Sequence, residues 1–413
     1  MRTIDTVVIG AGQAGLAASR HLAERGVDHV VLERGRTAER WRSERWDSLR
    51  LLTPNWMSDL PGWSYRGRDP HGYMTAAEVA GYLHGYADAL SAPVIADSAV
   101  VNLERLDDRF KVITTAEHWR SANVVIATGW CDLPAVPEMS RRLDRSIAQV
   151  APSSYRNPGS LPDGGVLIVG ASATGVQLAD ELADAGRDVV LAVGSHSRLP
   201  RLYRGMDIFW WLKQIGSLDR TIDELPNAVT ARTEPSLQLV GRPDHRNLDL
   251  TTLRDLGVEL AGRVTGIDAH HVSFRPDLAA NVAAAHVRMR RVLAQIDRHI
   301  DQSGLAAEVF DPEPQQSLTV TEHLDRLDVR ARGITSVIWA TGYRRSYPWL
   351  HVPVLDERGE IRQHRGVTPV DGLYVLGQRF QHRRNSNFID GVGRDAAFVV
   401  DHLVRGAARV CNR

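Results

Sequence analysis

Cysteine is almost missing from this chain. It occurs only at Cys131 and Cys411, far apart and without ligand spacing, which excludes a disulfide framework, a zinc site and a C-x-x-C redox pair. No metal site is expected. An excess of one charge is missing too: 50 basic residues balance 50 acidic ones, so nucleic acid, which wants a basic surplus, is not an expected partner. Lysine is confined to Lys111 and Lys213. The positive charge is therefore nearly all arginine, which suits phosphate recognition but is equally a compositional bias with solvated guanidinium faces. No apolar run approaches the length of a membrane span, so no membrane association is expected. From Met1-Arg2-Thr3 the sequence enters a strand pattern at once, leaving no room for a signal peptide, and a cytoplasmic protein is expected. What remains is ordinary: 413 residues, 43% hydrophobic and 24% charged, enough for two or three globular domains.

The stretch Val7-Val8-Ile9-Gly10-Ala11-Gly12-Gln13-Ala14-Gly15 carries the strongest local signal. A β-branched run turns into a helix through glycines spaced G-x-G-x-x-G. Gly10 permits the tight turn, Gly12 allows close backbone approach to a pyrophosphate, and Gly15 lets the helix lie against the strand. The helix, predicted from Gln13 to about Arg25, aims free N–H groups and its positive end at the phosphates. A second strand, Val27 to Leu32, ends at Glu33 and Arg34, where a Rossmann unit places a carboxylate for a ribose hydroxyl. Trp41, Arg42 and Trp46, then Ser48 to Trp56, follow in a polar setting that cannot bury every indole, and a flat cofactor ring would give them a partner. Thr75 is placed to cap a helix to about Leu90. Alternating residues at Val94 to Leu103 and Phe110 to Thr114 predict a β-meander, closed by a buried strand ending Ala127-Thr128-Gly129.

Residues 132 to 162, rich in Pro, Ser and Arg, read as a domain junction. The opening pattern then returns as Val166-Leu167-Ile168-Val169-Gly170-Ala171-Ser172-Ala173-Thr174-Gly175, with a helix to about Ala185 and a strand Val189 to Val193. Ser172 replaces the middle glycine. The second strand ends in Gly194-Ser195-His196-Ser197-Arg198 with no carboxylate, an arrangement suited to a 2′-phosphate, although a solvated loop would carry the same residues. Phe209-Trp210-Trp211 reads as core in preference to the alternative, a substrate wall. Asp277 is expected to cap a helix from Leu278 to about Ile300, with apolar positions at Leu278, Val282, Ala285, Met289, Val292, Ile296 and Ile300. Gln302 to Gln316 reads as a surface loop. A strand ending Ala340-Thr341-Gly342 repeats the ending at Ala127, a further strand ends at Leu376-Gly377-Gln378, and a helix opens near Ile389 with N–H groups available to an anion. His382 to Asn385 is expected to be a solvated loop in preference to the alternative, a flank of the active site.

Two such units, each coupled to a strand ending Ala-Thr-Gly, resemble the class B flavin-containing monooxygenases. That group includes N- and S-oxygenating enzymes, Baeyer–Villiger enzymes, plant indole-pyruvate monooxygenases and bacterial proteins known only as FAD-dependent oxidoreductases. The resemblance implies an α/β chain with two Rossmann-like dinucleotide-binding domains in a glutathione-reductase-like arrangement. It divides the chain into residues 1–160, the FAD domain with its meander; 161–345, the NADPH domain with an inserted segment at about 199–316; and 346–413, a return to the first domain. It implies FAD on Gly10, Gly12, Ala14, Gly15, Glu33 and Arg34, with Trp41, Arg42 and Thr53 near the flavin, Val100 near the adenine, and Ala127, Thr128, Gly129, Gly377 and Gln378 around them. NADPH would lie on Gly170, Ser172, Ala173, Thr174, Gly175, Ala340 and Thr341, with Ser195, His196 and Arg198 at the 2′-phosphate. Asn55 is the flavin-facing catalytic candidate. The family's linker fingerprint carries a histidine where this sequence has Ala151, which distances it from the Baeyer–Villiger branch. The implied activity is NADPH-dependent insertion of one atom of O2 into a small organic substrate through a C4a-(hydro)peroxyflavin, with N- or S-oxygenation favoured; homo-oligomers are compatible with it. A flavin reductase or oxidase, or a non-catalytic nucleotide sensor, are the rivals.

Overall fold

The computed structural model describes residues 1–321 and 323–411. Strand β1 (Arg2–Ile9) buries Val7 and Val8 completely and Ile9 nearly so, which is why so short a β-branched run becomes the centre of a sheet rather than an edge. Helix α1 (Gln13–Glu24) leads to β2 (His29–Leu32), parallel to β1 with Val8 opposite Val31. Helix α2 (Ala76–Ala89) begins with a full capping box, Thr75 and Glu78 satisfying each other's backbone N–H groups. Strands β3 (Val94–Ile95), β4 (Val100–Leu106), β5 (Arg109–Thr114) and β6 (His118–Ile126) follow, the last three as an antiparallel meander. The sheet order is β3-β2-β1-β6-β5-β4.

The second sheet is wholly parallel. Strand β7 (Ala148–Val150), β8 (Gly165–Val169), helix α3 (Ala173–Asp184), β9 (Val189–Ala192), helix α4 (Leu250–Asp255), β10 (Glu259–Ala261), helix α5 (Leu278–Ser303) and β11 (Ile334–Trp339) form it in the order β7-β11-β8-β9-β10, with helices against it. Because β7 pairs with β11, the chain crosses to the second sheet ahead of the boundary placed at 160. Helix α5 buries Leu293 where Val292 was expected, a shift of one position around the apolar stripe. Asp277 stands at its N-cap position without capping it; its Oδ1 instead accepts the N–H of Arg263 at 3.0 Å.

The chain then returns to the first sheet. Strand β12 (Leu373–Val375) pairs parallel with β6, and helix α6 (Ile389–Cys411) packs Val392, Ala396, Val399, Val400 and Leu403 into one core with Leu16, Ala17 and Leu22 of α1. Each valine or leucine so removed from water contributes about 1.5–3 kcal/mol, and each alanine less than about 1 kcal/mol. Among the described residues no helix is long and apolar enough to cross a membrane.

Candidate functional site

At the first turn Gly10 adopts φ +106°, and a Cβ there would sit 2.8 Å from the carbonyl oxygen of Ala127. A Cβ on Gly15 would sit 1.8 Å from the carbonyl oxygen of Gly10, so helix and strand touch backbone to backbone. Gly12 differs: no heavy atom of the described residues lies within 4 Å of its Cβ position. That vacant direction faces a crevice of about 560 Å³. Gly10, Gly12 and Ala14 line it from the turn, Glu33 and Arg34 from the end of β2, and Trp41, Thr53, Val100, Ala127, Thr128, Gly129 and Gly377 from the walls. Glu33, 8% exposed, accepts the N–H of Ala11 at 2.7 Å and of Gly35 at 3.3 Å, which fixes the carboxylate at the rim.

Four sequence candidates stand elsewhere. Gly15 lies under the turn, in the strand–helix contact. Arg42 is exposed, its Nε donating to the Thr37 carbonyl at 3.2 Å. Asn55, the catalytic candidate, is buried away from the crevice wall: its Nδ2 donates to the Asp69 carbonyl at 2.9 Å and its Oδ1 accepts the Met74 N–H at 2.7 Å, so both ends of the amide clasp the 69–74 loop. Gln378 braces the wall from behind, donating to the Gly129 carbonyl at 3.2 Å and accepting from Arg345 at 2.6 Å. The segment expected to be a solvated loop is only partly so: His382 and Asn385 are at most 5% exposed and half-buried Arg383 pairs at 2.8 Å with fully buried Asp395, while the Arg384 side chain reaches solvent.

Sequence reasoning missed Trp130, Cys131, Phe209, Ser346, Trp349 and Phe388, all on the crevice wall. Phe209, Ser346 and Trp349 come from distant segments that no local periodicity marks, whereas Trp130 and Cys131 directly follow Gly129 and Phe388 directly precedes α6, so adjacency to those turns was the available signal. Phe209 belongs to the aromatic cluster read as core; Trp211 is indeed fully buried, with its indole N–H on the Tyr203 carbonyl at 2.7 Å, whereas Phe209 reaches the crevice. The N-terminus of α6, foreseen as a donor site, delivers Asn387 and Ile389 to the same wall. Just inside it, burial pushes the Asp390 carboxyl up to about 6, against the opposing pull of Lys213 and Arg394. Burial also raises the Cys131 thiol, which favours its neutral form.

The second turn repeats the first. Gly170 adopts φ +109° with its Cβ position 2.4 Å from the Ala340 carbonyl oxygen, and that of Gly175 lies 1.8 Å from the Gly170 carbonyl oxygen. Ser172 stands at φ −81°, ψ −173°, against −88°, −172° at Gly12, and its hydroxyl makes no capping bond. Ser172 and Thr174 are half-buried, Ala173 is buried, and Ser195 is exposed. Thr341 is engaged elsewhere, donating to the Ala135 carbonyl at 2.9 Å. His196 is buried, with Nδ1 at 3.0 Å from the Gly194 carbonyl and a pKa lowered by burial. Arg198 is not the free cation expected. Its Nη2 pairs with Asp249 at 2.7 Å, and its Nη1 donates to the Gln316 carbonyl at 3.0 Å, at the end of the largely exposed 302–316 segment.

Two strand–turn–helix units, each backed by a strand ending Ala-Thr-Gly, define an oxidoreductase fold with two dinucleotide-binding domains. A family model described as pyridine nucleotide-disulphide oxidoreductase matches residues 7–208. An uncharacterized CzcO-like oxidoreductase of Geobacillus kaustophilus is 33% identical, the alignment covering 97% of this chain and 98% of that protein. Indole-3-pyruvate monooxygenase YUCCA4 of Oryza sativa subsp. japonica is 30% identical over 97% of this chain and 87% of its own length. Among solved structures, a flavin-containing monooxygenase from Stenotrophomonas maltophilia matches 98% of this chain and 99% of its own with a TM-score of 0.67 at 20% identity, which shows the shared fold. The chain belongs to the class B flavin monooxygenase-like family of oxidoreductases.

Proposed function

We propose that the protein is an FAD monooxygenase that takes electrons from NADPH and places one atom of O2 on the nitrogen or sulfur of a small organic substrate. The observation that carries this reading is the pair of turns with matching geometry, of which the first leaves the Gly12 Cβ direction open to a crevice large enough for a nucleotide. The residues fit the group: Gly12 and the N-terminus of α1 would hold the pyrophosphate of FAD, Glu33 a ribose hydroxyl, and Val100 the adenine end. Trp41, Thr53, Trp130, Phe209 and Phe388 would surround the ring system and keep water from it. Asn387 and Ile389, at the start of α6, would aim backbone N–H groups at an anionic edge of the ring. Gly170, Ser172, Thr174 and Gly175 would receive NADPH, the Ser172 hydroxyl being free to bond a phosphate oxygen. When bound, the flavin supplies the two-electron reduction of O2 at the expense of the nicotinamide. The chain's own part is to orient the two nucleotides and to exclude solvent.

The rival reading as a disulfide reductase, which the name of the matching family model would suggest, lacks its chemistry. The only cysteines, Cys131 and Cys411, are far from C-x-x-C spacing, and Cys131 is unpaired among the described residues. The test is stoichiometry: NADPH and O2 consumption measured with amines, thioethers, indoles and ketones. Equal consumption with matching N- or S-oxygenated product supports the proposal, whereas product from the ketones or from indole carbon alone would leave a monooxygenase but overturn the choice of nitrogen or sulfur. Quantitative H2O2 without product from every substrate would make the protein an oxidase, and no electron uptake from NADPH would make it a nucleotide-sensing flavoprotein.

A further inference from the structure

We propose that Asp249 determines which nicotinamide nucleotide the second unit accepts, its carboxylate acting as a resident anion in the seat on Arg198 that a 2′-phosphate would take. This rests on the reading of that unit as a nucleotide site. In such a fold the end of the second strand faces the ribose 2′ position, with a carboxylate there for a hydroxyl and an arginine for a phosphate. The stretch Gly194–Arg198 has the arginine and no acid. The fold brings the acid in from elsewhere.

Asp249 precedes α4, and its two oxygens are divided. Oδ1 accepts the N–H groups of Thr251 at 2.9 Å and Thr252 at 3.0 Å, capping the helix, while Oδ2 lies 2.7 Å from Nη2 of Arg198. The pair is shielded, the side chains being 9% and 14% exposed. On the guanidinium, Nη1 is held by the Gln316 carbonyl at 3.0 Å, and Nε is buried without a partner among the described residues. An incoming phosphate dianion therefore meets a carboxylate fixed from the helix side and must displace it. Like charges brought together in that way cost affinity. A nucleotide ending in a 2′-hydroxyl meets no repulsion, and the carboxylate can accept its hydrogen bond. The sequence pattern favours NADPH; the tertiary pairing brings NADH level with it.

The test is Asp249→Asn, which keeps the Oδ1 acceptor for the cap and removes the charge. Adenosine 2′,5′-bisphosphate and adenosine 5′-monophosphate are titrated into the FAD-loaded protein by calorimetry, and the ratio of their affinities is read. In the unaltered protein the bisphosphate is expected to bind within about threefold of the monophosphate; in Asp249→Asn it should gain about tenfold over it. The ratio of kcat/KM for NADPH over NADH should move in parallel. A large preference for the bisphosphate in the unaltered protein, or a ratio unmoved by the substitution, overturns the role of Asp249 while leaving the nucleotide site in place. The first of these measurements needs no variant. If neither compound binds and neither NADPH nor NADH reduces the flavin, the reading of the second unit falls, and this inference with it.

Discussion

Replacing Gly12 by alanine separates the stability of the first unit from its ability to hold a nucleotide. At φ −88°, ψ −172° the backbone is extended and open to any residue. The new methyl meets no heavy atom of the described residues within 4 Å. Flavin-free Gly12→Ala should therefore match the unaltered protein within about 1 kcal/mol, the lost chain entropy of glycine and the poorer helix cap offsetting each other. The methyl nevertheless projects into the crevice where the backbone must approach a pyrophosphate. FAD affinity should fall at least about tenfold, or ~1.4 kcal/mol. Gly15→Ala is the control with opposite behaviour. Its Cβ would lie 1.8 Å from the Gly10 carbonyl oxygen, so α1 must lift off β1, at a cost of about 1–3 kcal/mol or more in the flavin-free protein. Thermal unfolding of flavin-stripped protein gives the first quantity, and quenching of FAD fluorescence on titration gives the second. Undiminished FAD binding by Gly12→Ala, together with unaltered stability of Gly15→Ala, would refute the reasoning.

Gly175→Ala places its methyl 1.8 Å from the Gly170 carbonyl oxygen, so the variant should purify yellow yet show strongly impaired flavin reduction by NADPH in rapid mixing; colourless protein would contradict the independence of the two units. The Asp390 carboxyl, raised by burial to about 6 from its ordinary 3.8, binds its proton more tightly folded than unfolded, so its contribution to stability is lost as pH rises through that interval. Asp390→Asn should gain on the unaltered protein by about 1.4 kcal/mol between pH 5 and pH 7.5, and a gap in melting temperature that ignores pH would dismiss the effect. Asp395→Ala removes the buried partner of Arg383, 2.8 Å away, and should destabilise the protein by about 3 kcal/mol in denaturant titration; a change below about 0.5 kcal/mol would mean that solvent already screens the pair.

The two turns were legible because their glycines answer to backbone geometry a few residues away: the contacts of Gly15 with Gly10 and of Gly175 with Gly170 lie within one strand–helix unit. The Thr75 capping box and the meander were legible for the same reason. Contacts between segments distant in sequence were not. Arg198 looks like a phosphate ligand until Asp249 and Gln316 arrive from fifty and more residues away. Asn55 resembles a flavin-facing amide, but its partners Asp69 and Met74 turn it into a loop clasp. His382 to Asn385 is polar enough for a solvated loop, yet Asp395 on α6 gives its charge a buried partner. The early crossing to the second sheet was hidden because β7 is only three residues long and is recognisable only through its pairing with β11.

Strand β12 and helix α6 complete the first sheet and its core from the far end of the polypeptide, whereas the second sheet draws all its strands from residues 148–339. A ribosome therefore releases the second unit intact while the first is still missing a strand and the helix that covers α1. Until residues 373–411 emerge, Leu16, Ala17 and Leu22 lack the helix that covers them, and a truncation ahead of residue 373 would strand the first unit in that condition while sparing the second.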